Sequence, residues 1–153
     1  RGLVLKDAIL ADSIPAFLAN YSLEGVEPFT IIVQDEGTMW ELRWDKEKKY
    51  IYPINPKYPY IWSSSTLYDT STKALRQSWF KNFLESNPVP SPKEVEQFHL
   101  QAGINDLNID LKMHRSYVQT VSITSIICRD KAIEMQYSDL VHKTQQVVGF
   151  TVV

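Results

Sequence analysis

Cysteine is almost absent. Cys128 is the only one in 153 residues, which excludes an internal disulfide framework and a metal site built from several thiolates. That usage is compatible with a reducing compartment and leans towards the cytoplasm, although no residue pattern assigns a location. Long hydrophobic runs are missing too. The longest near the end, Val147 to Val153, is far shorter than the roughly 20 residues a helix needs to cross a bilayer, so no membrane span is expected. Nor is there an excess of one charge. Sixteen basic and 18 acidic residues leave a formal net charge of -2, and the cluster Lys46, Lys48, Lys49 is interrupted by Glu47. The electrostatic footprint of a nucleic-acid binder is therefore lacking. The chain opens on Arg1 with no basic and apolar leader, so any targeting segment is expected to be absent or to lie upstream.

What is present supports one folded α+β domain across residues 1–153: 44% of the residues are apolar and 12% aromatic, enough for a substantial core. Ser13 before Pro15, Phe17 and Leu18 predicts the N-cap of the second of two short helical pieces, ending before Gly25. Phe29 to Asp35, a turn at Asp35-Glu36-Gly37, and Met39 to Trp44 read as a hairpin. Lys48 to Ile54 extends it to three antiparallel strands, stopped by Pro53 and Pro56. From Asp69 the period lengthens: Leu75, Trp79 and Phe83, widened by Phe80 and Leu84, predict a core-facing helix capped by Asp69 or Thr70 and ended by Asn87 and Pro88. Ser91-Pro92-Lys93-Glu94 is a capping box that starts a second helix, with Val95, Phe98 and Ala102 on one face and Gly103 expected to close it in the left-handed conformation. Beyond it, Leu107, Ile109, Leu111 and Met113 alternate with polar residues and predict a strand. Tyr117 to Cys128 and Ala132 to Tyr137, joined by a turn at Arg129-Asp130-Lys131, complete a second meander. The order suits a layered α+β sandwich with both helices on one sheet face.

Several residues invite a chemical reading. Asp106, Asn108 and Asp110 match the opening of a calcium loop, but Leu111 replaces the sharp-turn glycine and Tyr117 the bidentate glutamate, so a strand's polar face is expected instead. His99, His114 and His142 lack short metal-ligand spacing and are expected at or near the surface; no metal or other cofactor is implied. Cys128 could attack a carbonyl only with a neighbouring base, and the expectation is a buried strand cysteine. The tryptophans Trp40, Trp44, Trp62 and Trp79 fall mostly at core-pattern positions. Ser63, Ser64 and Ser65 offer hydroxyls at the end of an apolar extended stretch. They lack the glycines of a nucleophile elbow, and stabilising an oxyanion or holding a polar ligand needs no such activation.

Arg1-Gly2-Leu3-Val4 and its helix, the strand from Pro28 to Asp35, Trp62 to Asp69 leading into a helix with Arg76 and Trp79, and Gln119 to Thr124 resemble, in order and spacing, the later part of the NRDE family. That family is named for an Asn-Arg-Asp-Glu motif and is related to transport-and-Golgi-organisation proteins. The resemblance implies an αββα sandwich of the N-terminal-nucleophile hydrolase type, in which an amino-terminal cysteine attacks an amide. It also implies that this cysteine and the naming motif lie upstream of Arg1, leaving no catalytic nucleophile in this chain. Ser64 stands where many relatives carry an oxyanion-hole asparagine, and Arg1 is a candidate for a substrate carboxylate. The expectation is part of an amidohydrolase-like protein of unassigned substrate; the alternative is a non-catalytic ligand-binding or interaction module with its pocket near Trp62 to Thr66. Without upstream sequence, an apolar sheet face or edge is expected to be covered by that segment or by self-association.

Overall fold

In the computed structural model, which describes residues 2–35, 37–64 and 68–151, Ser13 begins the second of two short helices, α1 (Gly2–Ile9) and α2 (Ile14–Asn20). Its backbone is extended and its hydroxyl accepts from the Ala16 N–H, while Pro15 sits in the first turn, where no N–H is needed. The other end of α2 is held from a distance. The Lys49 ammonium donates to the carbonyls of Leu18, Ala19 and Tyr21 at 3.0, 3.1 and 2.8 Å, satisfying acceptors at the negative end of the helix dipole. Burial pushes the Lys49 pKa down. Lys49→Met is expected to cost about 1–2 kcal/mol, because the stem is kept while the charge-assisted bonds are lost. Urea denaturation measures this, and an unchanged midpoint would refute the role given to Lys49.

The first meander forms as the pattern predicts: β1 (Phe29–Asp35), β2 (Thr38–Trp44) and β3 (Lys49–Pro53) make an antiparallel sheet in that order. Gly37, at φ +80°, supplies the left-handed residue of the first hairpin. Phe29, Ile31, Trp40, Leu42, Trp44 and Ile51 share one sheet face, and Val4, Leu18 and Leu23 pack on it. Leu42 and Val4 are each 1% exposed, among the most buried side chains of the described residues. The Trp44 indole donates to the Val26 carbonyl at 2.8 Å, whereas the buried Trp40 indole N–H has no acceptor among the described residues.

Helix α3 (Thr70–Ser86) starts at Asp69, whose carboxylate accepts from the Thr72 N–H. Its apolar stripe is only half-buried; the buried residue is Arg76, whose guanidinium donates to the carbonyls of Ile109 and Asp110 at 2.9 and 2.7 Å. Helix α4 (Pro92–Gln101) carries the full capping box between Ser91 and Glu94 and buries Phe98. Phe98 stacks against Phe83 with ring centroids 4.7 Å apart.

Two local expectations are corrected after α4. Gly103 does not take a left-handed conformation; Asn105 does, at φ +64°, and Ala102 is the C-cap. Gly103 is instead required by close approach, because a Cβ there would collide with the Asp110 side chain, which accepts from the Ile104 N–H. Leu107 to Met113 is a series of turns and not a strand. The Asp106 carboxylate accepts from the Asn108 N–H and the Asp106 carbonyl from Ile109 and Asp110, so the backbone is satisfied locally.

The second sheet comprises β4 (Ser122–Arg129), β5 (Ala132–Asp139) and β6 (Thr144–Thr151), antiparallel and in that order. Its first strand begins at Ser122, later than the pattern suggests, and β6 begins at Thr144, three residues before the apolar run at Val147. Glu96 of α4 accepts from Ser138 and Gln136, so α4 covers the face on which those β5 side chains lie. The opposite face carries Cys128, Ile133 and Phe150 in one cross-strand row and Ile126, Met135 and Val148 in the next. Most of it is exposed, and Cys128 with it, correcting the expectation of a buried thiol.

The chain is thus mixed α+β, with four helices and two three-stranded antiparallel sheets among the described residues. It divides into two compact units, Arg1–Lys73 and Ala74–Val153, each with one of the sheets. No helix of the described residues is long and apolar enough to cross a membrane.

Acid should loosen the α3 and α4 caps and the 106–113 turns. Backbone N–H donors hold the Asp69 and Asp106 carboxyls below their ordinary range, and the Ser91 hydroxyl and N–H do the same for Glu94. A folded-state value below the unfolded one adds stability that is complete above the ordinary carboxylate pKa and is lost as pH falls through the folded value. The urea midpoint is expected to be flat between about pH 5 and 7 and to fall below about pH 4. In the double variant Asp69→Asn, Glu94→Gln that fall should be shallower; an identical pH profile would refute the assignment.

Candidate functional site

Ser63 and Ser64 sit in the irregular segment between β3 and α3, not at a strand end as the apolar stretch suggests. Pro53, Pro56 and Pro59 deny this segment the regular N–H donors of a ladder. Its position comes from side chains instead. Trp62 donates its indole N–H to the Glu41 carboxylate of β2 at 3.0 Å and stacks on Tyr60 with centroids 5.4 Å apart. The two serines then border a cleft of about 500 Å3 lined also by Phe29, Thr30, Ile31 and Ile32 of β1 and by Gly2 and Leu5 of α1. Ser63 is half-buried and Ser64 exposed. Ser65 and Arg1, the other two candidates, lie outside the described residues.

Among the described residues, this cleft offers hydroxyl groups against a largely apolar surface but no histidine or cysteine base for them. Residues 1–73 contain neither histidine nor cysteine. The arrangement can hold a polar group or donate to a developing oxyanion; it does not activate a serine. A larger cleft of about 720 Å3 in the same unit runs along α1, α2 and β1 and includes Asp12 and Asp35, without a nucleophile. Its Ser13 is already engaged as the α2 cap.

The remaining candidates all belong to the second unit. His99 bonds through Nδ1 to the Val95 carbonyl at 2.8 Å; a carbonyl only accepts, so Nδ1 is the donor. His99, Glu96 and Cys128 border a groove of about 520 Å3 between α4 and β4. His142 meets the Asp139 carboxylate at 2.9 Å, and the His142 backbone N–H, then its ring, hold that carboxyl below its ordinary range. His114 pairs with Gln119 in an isolated bridge. All three rings are exposed, as their sequence setting suggests. Asp106, Asn108 and Asp110 spend their polar groups on one another and on the turn backbone.

Sequence reasoning identified the serines but not the cleft wall. Gly2, Leu5 and Thr30 are remote from Ser64 along the chain, and no local pattern marks them as neighbours. No family model, no curated protein and no solved structure matches the chain.

Proposed function

We propose that this chain is the later part of an N-terminal-nucleophile-type amidohydrolase-like protein of the NRDE kind, acting on a non-peptide amide and inactive unless a cysteine-bearing segment precedes it. The observation that carries the reading is the shared cleft of Ser63, Ser64 and Gly2. A segment joined to α1 would enter that cleft beside the two hydroxyls. Its cysteine thiolate would attack the amide carbonyl, its α-amino group would take up the thiol proton and return it to the leaving amine, and water would then cleave the thioester. Ser64 would donate its O–H to the oxyanion, and the apolar β1 wall would exclude water from it. The finer architecture belongs to the same proposal: each unit has a three-stranded sheet with helices on one face, the parts from which an αββα sandwich is made.

Two amidase assays test this. Residues 1–153 alone are expected to show no turnover, with Cys128→Ser changing nothing, because Cys128 is an exposed strand residue remote in sequence from the serine cleft. The protein bearing the preceding segment should turn over, and replacing its amino-terminal cysteine by alanine should abolish that. Hydrolysis by the isolated chain that disappears with Cys128→Ser would overturn the proposal. Saturable binding without turnover in the longer protein would favour the ligand-binding module.

A further inference from the structure

The two sheets present four edge strands among the described residues: β1, β3, β4 and β6. Unpaired strand edges template pairing with other strands, and proteins blunt them with charge or proline. Three of these edges are guarded. β1 ends in Asp35, β3 carries Lys49 and Pro53, and β4 ends in Arg129. β6, Thr-Gln-Gln-Val-Val-Gly-Phe-Thr, has no charged residue and no proline. It pairs with β5 along its whole length and is exposed at every position, with Val147 on one face 56% and Val148 on the other 50% accessible. At Gly149 the space a Cβ would occupy is open, leaving room for a neighbouring backbone.

We propose that β6 is a homotypic pairing edge, on which a second copy of this chain adds its own β6 antiparallel about a two-fold axis to form a continuous six-stranded sheet. The occupant follows from the edge itself. Its eight residues offer about 26 Å of ladder, which only an extended strand can satisfy. Two-fold self-pairing sets the segment against its own reverse, and with no charge anywhere in β6 no register brings like charges together. Apolar side chains meet on both faces, Val147 on one and Val148 and Phe150 on the other. One strand edge is smaller than a standard interface of about 800 Å2 per partner, so the dimer is reversible and concentration-dependent.

Sedimentation equilibrium of the 153-residue chain tests this. The mass is expected to rise from 17.7 kDa towards twice that value between about 10 µM and 1 mM, with amides of residues 144–151 gaining hydrogen-exchange protection in step. Val147→Lys and Val148→Lys should each weaken association at least about tenfold, because each sets two like charges across the dyad from opposite faces of the sheet. Ile126→Lys, on the other edge strand, should leave it unchanged. Thermal midpoints close to that of the unsubstituted chain show that these exposed substitutions leave the fold intact. A monomer throughout the range overturns the proposal. So does a dimer lost with Ile126→Lys but retained with Val147→Lys, since that pattern belongs to packing through the open sheet face.

Discussion

Replacing Ser64 by alanine, in the protein that carries the preceding segment, is expected to lower kcat by roughly ten- to a thousandfold with little change in KM. Ser64 borders the cleft beside Gly2 and the β1 wall, and a hydroxyl that donates to an oxyanion acts only once charge has developed on the carbonyl oxygen. Ser64 is exposed, so the thermal midpoint should not move. Ser63→Ala is the informative companion. The neighbouring hydroxyl lies on the same cleft, and a loss confined to Ser64 would assign the donor. Steady-state kinetics on both variants decides the matter: an unchanged kcat for Ser64→Ala removes the oxyanion role, and a rise in KM alone makes this serine a ground-state contact.

Arg76→Ala should destabilise the second unit by about 3 kcal/mol. The side chain is 6% exposed and its planar fork reaches two successive carbonyls, Ile109 at 2.9 Å and Asp110 at 2.7 Å. Truncation removes the donors and most of the volume together, leaving carbonyls of the 106–113 turns without them. Domains of this size are stable by only about 5–15 kcal/mol, so the loss would be plain in urea denaturation. Arg76→Lys should recover only part of it, because an ammonium lacks the rigid two-pronged geometry. A loss below about 1 kcal/mol for Arg76→Ala would show that α3 does not depend on this anchor.

The 106–113 segment shows why some elements were legible and others were not. Its apolar and polar residues alternate as in a half-buried strand, yet Leu107 is 52% exposed and Met113 8%. Alternation reports which side chains could share a face. It does not report whether a partner strand exists. Asp106 and Asn108 can satisfy the backbone by themselves, and where no neighbouring strand competes, local hydrogen bonds win. The capping box at Ser91 was legible for the converse reason, since all its partners lie within one turn of chain. The first hairpin was also written locally, in a Gly37 that adopts its positive φ without a Cβ clash and in apolar runs of matching length.

Elements whose causes lie within a few residues were therefore determined by sequence alone: the caps at Ser13 and Ser91, a cap at Asp69 or Thr70, the first meander, the ends imposed by proline, and the serines as candidate ligand groups. Tertiary structure decided which surface each element turns to solvent. Cys128 is exposed because α4 covers the opposite sheet face, a choice between two faces that strand periodicity leaves degenerate. Ser64 became part of a cleft because α1 and β1 approach it from far along the chain, and Arg76 became a buried anchor because two turn carbonyls point at it. Short-range hydrogen bonding and backbone sterics act wherever their residues occur, whereas burial depends on which distant surfaces meet.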